Sequence, residues 1–249
     1  MVKKIDKTSA LITILAYCAF STACFGQVPD KREWGEKFNS SGARLTFKEL
    51  DRTRIEEGTA VTYHMFASGL PANAEYTLWT WILGSEPEEQ ADAYINKDGL
   101  IVNVLADPAR KIAEDPIDLI VFAGRGEPKR FALISTDGRY RVFGQVVPFP
   151  IEATAGPCHI SAITFSPNYS VVDVFVEGLQ PGEELQVDTQ SADEGGQVKA
   201  QATGQGKYIA NLLLQVLGKR SGIARFHVTA KSCQIGVEFP WGESSYKIQ

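Results

Sequence analysis

Residues 63–78 read YHMFASGLPANAEYTL, and residues 172–187 read VDVFVEGLQPGEELQV. Laid one over the other, the two segments coincide at Phe66 and Phe175, Gly69 and Gly178, Leu70 and Leu179, and Glu75 and Glu184, with a constant offset of 109 and no gap. Each alternates apolar and polar residues, turns at Gly-Leu with a proline close behind, and alternates again, which is how a β-unit is written in sequence. The 249 residues therefore read as two copies of one β-domain rather than as one large domain.

Working outward, the first copy starts near residue 43. It continues through strands at 61–66 and 76–83, an acidic loop at 84–92, strands at 100–105 and 117–123, and a hairpin of 130–135 with 139–147. Asp107 as N-cap with Pro108 in the first helical position predicts one short helical turn, ended by Pro116. Pro148, Pro150 and residues 153–157 mark the boundary. The second copy places strands at 160–165, 171–176, 185–189, 197–202, 208–216, 223–229 and 233–239, followed by a loose tail. Seven or eight short strands per copy, joined by turns and without a long amphipathic helix, make an antiparallel sandwich.

The alternating strand, Gly-Leu turn and second alternating strand resemble the Ig-like and fibronectin-type modules of exported bacterial proteins, from about residue 43 onward in both copies. The resemblance implies architecture alone: all-β, two tandem antiparallel Ig-like β-sandwich domains at 43–152 and 153–249. From their own residues, 1–26 read as a signal peptide and 27–42 as a leader or linker. The Cys-Trp-Cys spacing of antibody domains is absent, and no functional residue carries over.

Lys3, Lys4 and Lys7 precede an apolar run at 10–20 that has the length of a signal-peptide core and is too short to span a bilayer. Three processing sites compete: after Ala23, after Gly26, or lipidation at Cys24, where Ala23 fits a lipobox and Ser21 and Phe25 do not. The chain is expected to be exported, periplasmic or extracellular, and Cys24 lipidation would make it an outer-membrane lipoprotein. Beyond the signal only Cys158 and Cys233 remain, an even pair in a compartment where disulfides persist, so a bridge between them is expected, with two free buried thiols as the alternative. The formal charge is −5, and the first 26 residues carry +2 of it, which leaves −7 for the rest. That balance disfavours nucleic acid and anionic membrane surfaces, which need clustered cations.

The motifs of catalysis are not found. His64, His159 and His227 lie far apart without H-x-x-x-H, H-x-H or C-x-x-C spacing, so no metal site is expected. His64 reads as an exposed strand residue. No G-x-S-x-G or P-loop occurs, the glycines around Gly204 lack a following helix, and Asp98 and Asp137 before glycines are ordinary turn formers. The expectation is no cofactor and no enzyme activity.

The repeat supplies one lead. Leu185 and Val187 mark the inward face of the strand after the second Gly-Leu turn, with Gln186, Asp188 and Gln190 facing out. In that register Tyr76 and Leu78 point inward, while Thr77, Trp79 and Trp81 point outward. Two tryptophans on a solvent face need a cover, and Trp is the residue most enriched at binding hot spots. The cover is the leader with Trp34 or the acidic loop, the second domain, or an external ligand, while a β-bulge would place Trp79 in the core. The leading function is an exported, non-catalytic binding or scaffold protein of the envelope that presents Thr77, Trp79 and Trp81 to a protein partner. A carbohydrate-binding accessory module and an enzyme with an unfamiliar site are the alternatives.

Overall fold

A computed structural model describes residues 29–55, 58–103 and 115–246. The expected signal peptide at 1–26, Cys24 and the expected helical turn at 108–113 lie outside the described residues. The described chain is all-β apart from three short 3₁₀ turns at Lys31–Glu33, Glu36–Phe38 and Glu243–Tyr246. Among the described residues no helix is long and apolar enough to cross a membrane.

The first half contains β1 (Arg44–Ile55), β2 (Gly58–Ser68), β3 (Tyr76–Trp81), β4 (Glu88–Ile95), β5 (Ile101–Asn103), β6 (Asp115–Pro116), β7 (Asp118–Val121), β8 (Lys129–Ser135) and β9 (Arg141–Val146). The second contains β10 (Ile151–Ala155), β11 (Cys158–Thr164), β12 (Val171–Glu177), β13 (Glu184–Ser191), β14 (Glu194–Gln201), β15 (Tyr208–Leu213), β16 (Ser221–Thr229) and β17 (Gln234–Gly242). Every ladder between them is antiparallel.

The repeat holds at the level of topology. The order β1-β2-β7 in one half matches β11-β12-β15 in the other, and β4-β3-β8-β9 matches β14-β13-β16-β17. The first half adds β5 and β6 beyond β4, and the second adds β10 beside β11. Each pair of sheets closes on its own apolar cluster. One is built on Leu45, Met65, Tyr76, Leu78, Leu133 and Val142, the other on Ile160, Val174, Leu185, Val187, Phe226 and Phe239. Period-2 alternation puts these residues on one face of each strand, so each half is a sandwich.

The glycines of the repeated turn have a shared physical reason. Gly69 and Gly178 both hold a left-handed φ, +72° and +82°. A Cβ at Gly69 would stand 2.3 Å from the Gly42 carbonyl oxygen, and one at Gly178 would stand 1.9 Å from that of Pro157. In each half the turn crosses directly over the backbone one or two residues before the first strand of the matched pair, and only glycine allows both the dihedral and the approach.

Several expectations are corrected. The acidic stretch 84–92 is not all loop, because β4 begins at Glu88; its exposed first residues lack apolar alternation and it is held by backbone pairing to β3. Residues 153–157 are not a bare boundary: β10 pairs with β11, and Ile151 is buried in the second cluster. The tail is not loose through Tyr246. Strand β17 runs past Pro240, with Trp241 and Ser245 buried. His64 is not an open surface residue, since it is half-buried and its Nε2 lies 2.9 Å from Asp118 Oδ1.

Cys158 and Cys233 form a disulfide that joins the start of β11 to the turn before β17. The two halves meet at the loop 124–127. The Gly126 carbonyl accepts from Thr164 N–H at 3.0 Å and Tyr169 Oη donates to Glu127 Oε2 at 3.2 Å, while Gly126 N–H ties the loop to the connecting segment through the Phe149 carbonyl at 2.6 Å.

Candidate functional site

Strand β3 keeps the register read from the repeat. Tyr76 and Leu78 belong to the main cluster, while Trp79 belongs to a separate one with Ala132 and Phe143 on the outer face of the same sheet. The β3–β4 ladder does slip between Leu78 and Trp79, which pair with Ala91 and Glu89. The extra residue is Gln90, on β4, so the bulge leaves the alternation of β3 intact.

The outer face is roofed by the leader. Residues 29–42 are not a free linker: Trp34 and Phe38 pack on the Trp79 cluster, with Trp34 ring centroids 5.7 Å from Trp81 and 5.4 Å from Phe143, both tilted by 58°. Polar bonds fix this strap to β9, the last strand of its sheet. Phe143 N–H donates to Asn39 Oδ1 at 2.7 Å, Arg141 N–H donates to Ser40 Oγ at 3.0 Å, and Ser40 N–H donates to the Arg141 carbonyl at 2.9 Å. The strap thus satisfies edge groups of β9 that would otherwise invite pairing with another chain. Lys31–Glu86 at 2.5 Å and Arg141–Glu33 at 3.2 Å add exposed ion pairs of small energetic weight.

Trp79, expected in the outward-facing trio, is consequently only 4% exposed, because the strap covers it. Thr77 is half-buried between Asp92 on β4 and Ile134 on β8. Trp81 is half-buried at the rim, and its indole N–H donates to the Ser85 carbonyl at 3.2 Å.

Beside Trp81 a cleft of about 650 Å³ opens between the strap, the ends of β3, β8 and β9, and Phe165 from the second half. Its walls include Trp34, Trp81, Phe143 and Phe165, and its floor includes Arg130. The guanidinium carbon of Arg130 lies 4.7 Å from the Trp81 ring centre and 5.6 Å from that of Phe165. Arg130 is 8% exposed, its Nη1 is enclosed without a hydrogen-bond partner, and burial lowers its pKa. The Trp34 indole nitrogen, another cleft residue, is also enclosed and unpartnered. Aromatic faces attract a cation but accept none of the five N–H bonds a guanidinium offers in a fixed fork.

The sequence reading missed Arg130. Its position in a strand was visible, but its placement opposite Trp81 depends on the β3–β8 register, in which Trp81 pairs with Arg130. The remaining candidates do not converge. His159 lies near Glu152 and His64 near Asp118, and among the described residues no group of three or more His, Cys, Asp or Glu could hold a metal ion.

No family model matches the chain, and no curated protein matches it. Among solved structures it is similar to a tetra-tandem repeat in the extending region of a large adhesion protein, with 10% identity and a TM-score of 0.25. That match covers 80% of this chain and 47% of the other. At that score the likeness carries no argument about function.

Proposed function

We propose that this is an exported, non-catalytic binding or scaffold protein of the cell envelope, which docks a protein partner in the cleft beside Trp81. The observation that carries the proposal is the cleft itself, walled by aromatic side chains from three parts of the chain and floored by a buried cation. Aromatic and arginine side chains in a desolvated pocket are the composition of protein-binding hot spots. The Cys158–Cys233 disulfide supports export, since such bonds persist outside the reducing cytosol.

One observation favours a protein over a glycan. Sugar rings stack on open, flat aromatic faces, whereas here Arg130 lies over Trp81 and Trp34 closes on it at 58°. Trp79 is beneath the strap and out of reach. The test is capture of partners from envelope fractions with wild type and Trp81→Ala. Loss of a specific partner in the variant is the expected result, and identical partner lists would remove the cleft from the account.

A further inference from the structure

We infer that Arg130 is the anchor for a carboxylate on the docked protein partner, an Asp or Glu side chain or a chain terminus flanked by an apolar residue. The inference rests on the proposal that the cleft is a docking site, and it adds the chemistry that the site selects.

The protein shows what this arginine lacks. Arg130 on β8 and Arg225 on β16 occupy the same place in the matched sheets, opposite Trp81 and Gln190 respectively. On the next strand, Arg225 faces Glu238 and Arg130 faces Gln145. Arg225 pairs with the Glu238 carboxylate, while Arg130 has no carboxylate within ion-pair distance among the described residues. One half thus contains the complete arginine–carboxylate pair, and the other contains the arginine with the acid replaced by an amide.

Burial sets the two arginines apart. Arg225 is exposed and would be solvated without a partner, but Arg130 is more than nine-tenths buried with Nη1 cut off from water. Leaving a buried cation without acceptors is costly, and a carboxylate, with two oxygens in one plane, matches the fork of a guanidinium. The second enclosed donor, Trp34 Nε1, lines the same cleft.

Surrounding charge narrows the ligand. Lys31 at the cleft is already paired with Glu86, Glu36 also lines it, and Glu88, Glu89 and Asp92 lie on the adjoining β4. Those carboxylates repel a polyanion, whereas a single acid next to an apolar group suits one buried cation among aromatic walls.

The experiment is calorimetric titration of the purified protein with N-acetylphenylalanine, its carboxamide and glucuronate, on wild type, Arg130→Gln and Gln145→Glu. The acid should bind wild type saturably, and the carboxamide at least tenfold more weakly. Arg130→Gln should lose at least tenfold. Gln145→Glu, which keeps the arginine and supplies an internal acid, should lose binding to the same degree while its melting temperature rises. Equal binding of acid and carboxamide, no binding of the acid to wild type, or undiminished binding by Gln145→Glu would overturn the anchor. Tighter binding of glucuronate than of N-acetylphenylalanine would overturn the assignment to a protein. If Arg130→Gln still captures the envelope partner that Trp81→Ala loses, the anchor is wrong and the docking face stands. If both variants capture it like wild type, the docking face itself fails.

Discussion

Replacing Trp34 by alanine tests whether the strap is held by its aromatic contacts. Trp34 is half-buried and meets Trp81 and Phe143 at 5.7 and 5.4 Å. Full truncation of a buried aromatic costs about 3–5 kcal/mol, and two tilted ring pairs at about 0.5–1.5 kcal/mol each describe the same contacts from another side. A half-buried indole should therefore cost about 2 kcal/mol, which corresponds to roughly a thirtyfold rise in opening of the strap. Hydrogen exchange is the direct assay, because the Arg141 and Phe143 amides donate only to Ser40 Oγ and Asn39 Oδ1 of the strap. Their exchange should accelerate about thirtyfold by the same conversion, while amides of β12 and β16 stay unchanged. Trp34→Phe should recover most of the protection. Unchanged exchange at both amides in Trp34→Ala would refute the reasoning and mean that another contact holds the strap over Trp79.

Other expectations concern the scaffold. Replacing Cys158 and Cys233 by serine opens a loop of sequence separation 75, for which chain entropy gives a loss of about 4 kcal/mol, read as a lower denaturant midpoint for the second half. Gly178→Ala must fit a Cβ at 1.9 Å from the Pro157 carbonyl oxygen at a φ of +82°, and should lower stability by more than about 2 kcal/mol, with Gly69→Ala close behind, by thermal unfolding. Hydrogen bonds from Ser135 and Arg139 hold the Asp137 carboxyl down to about 2. Its folded pKa is depressed, so its contribution is present above the unfolded value of about 3.9 and fades as pH falls towards 2. Asp137→Asn should flatten the acid limb of melting temperature against pH in that window, and an unchanged limb would count against the assignment.

The fold was legible because its determinants are local. The offset of 109 aligned two turns that share a steric constraint, and period-2 alternation put Tyr76, Leu78, Leu185 and Val187 on their inner faces. Strand β4 was not legible. Glu88, Glu89 and Gln90 are all exposed, so nothing in their side chains records the pairing that makes them a strand. The outer face of β3 was legible as an anomaly and not as a site. Alternation put Trp79 and Trp81 there, but that Trp34 and Phe38 return from the leader to bury Trp79 depends on tertiary packing. Arg130 needed two registers at once, opposite Trp81 on one side and Gln145 on the other. Once both are known, the repeat that first divided the chain also exposes the missing acid, through Glu238 beside Arg225.

The most direct measurement follows the four tryptophan indole N–H resonances by NMR as N-acetylphenylalanine is added. Trp34 and Trp81 line the cleft, whereas Trp79 lies beneath the strap and Trp241 in the second core. The account predicts saturable shifts of the Trp34 and Trp81 signals, still positions for Trp79 and Trp241, and for the carboxamide the same shifts only at tenfold or higher concentration. Four unmoved signals, or equal shifts with the acid and the carboxamide, would contradict it.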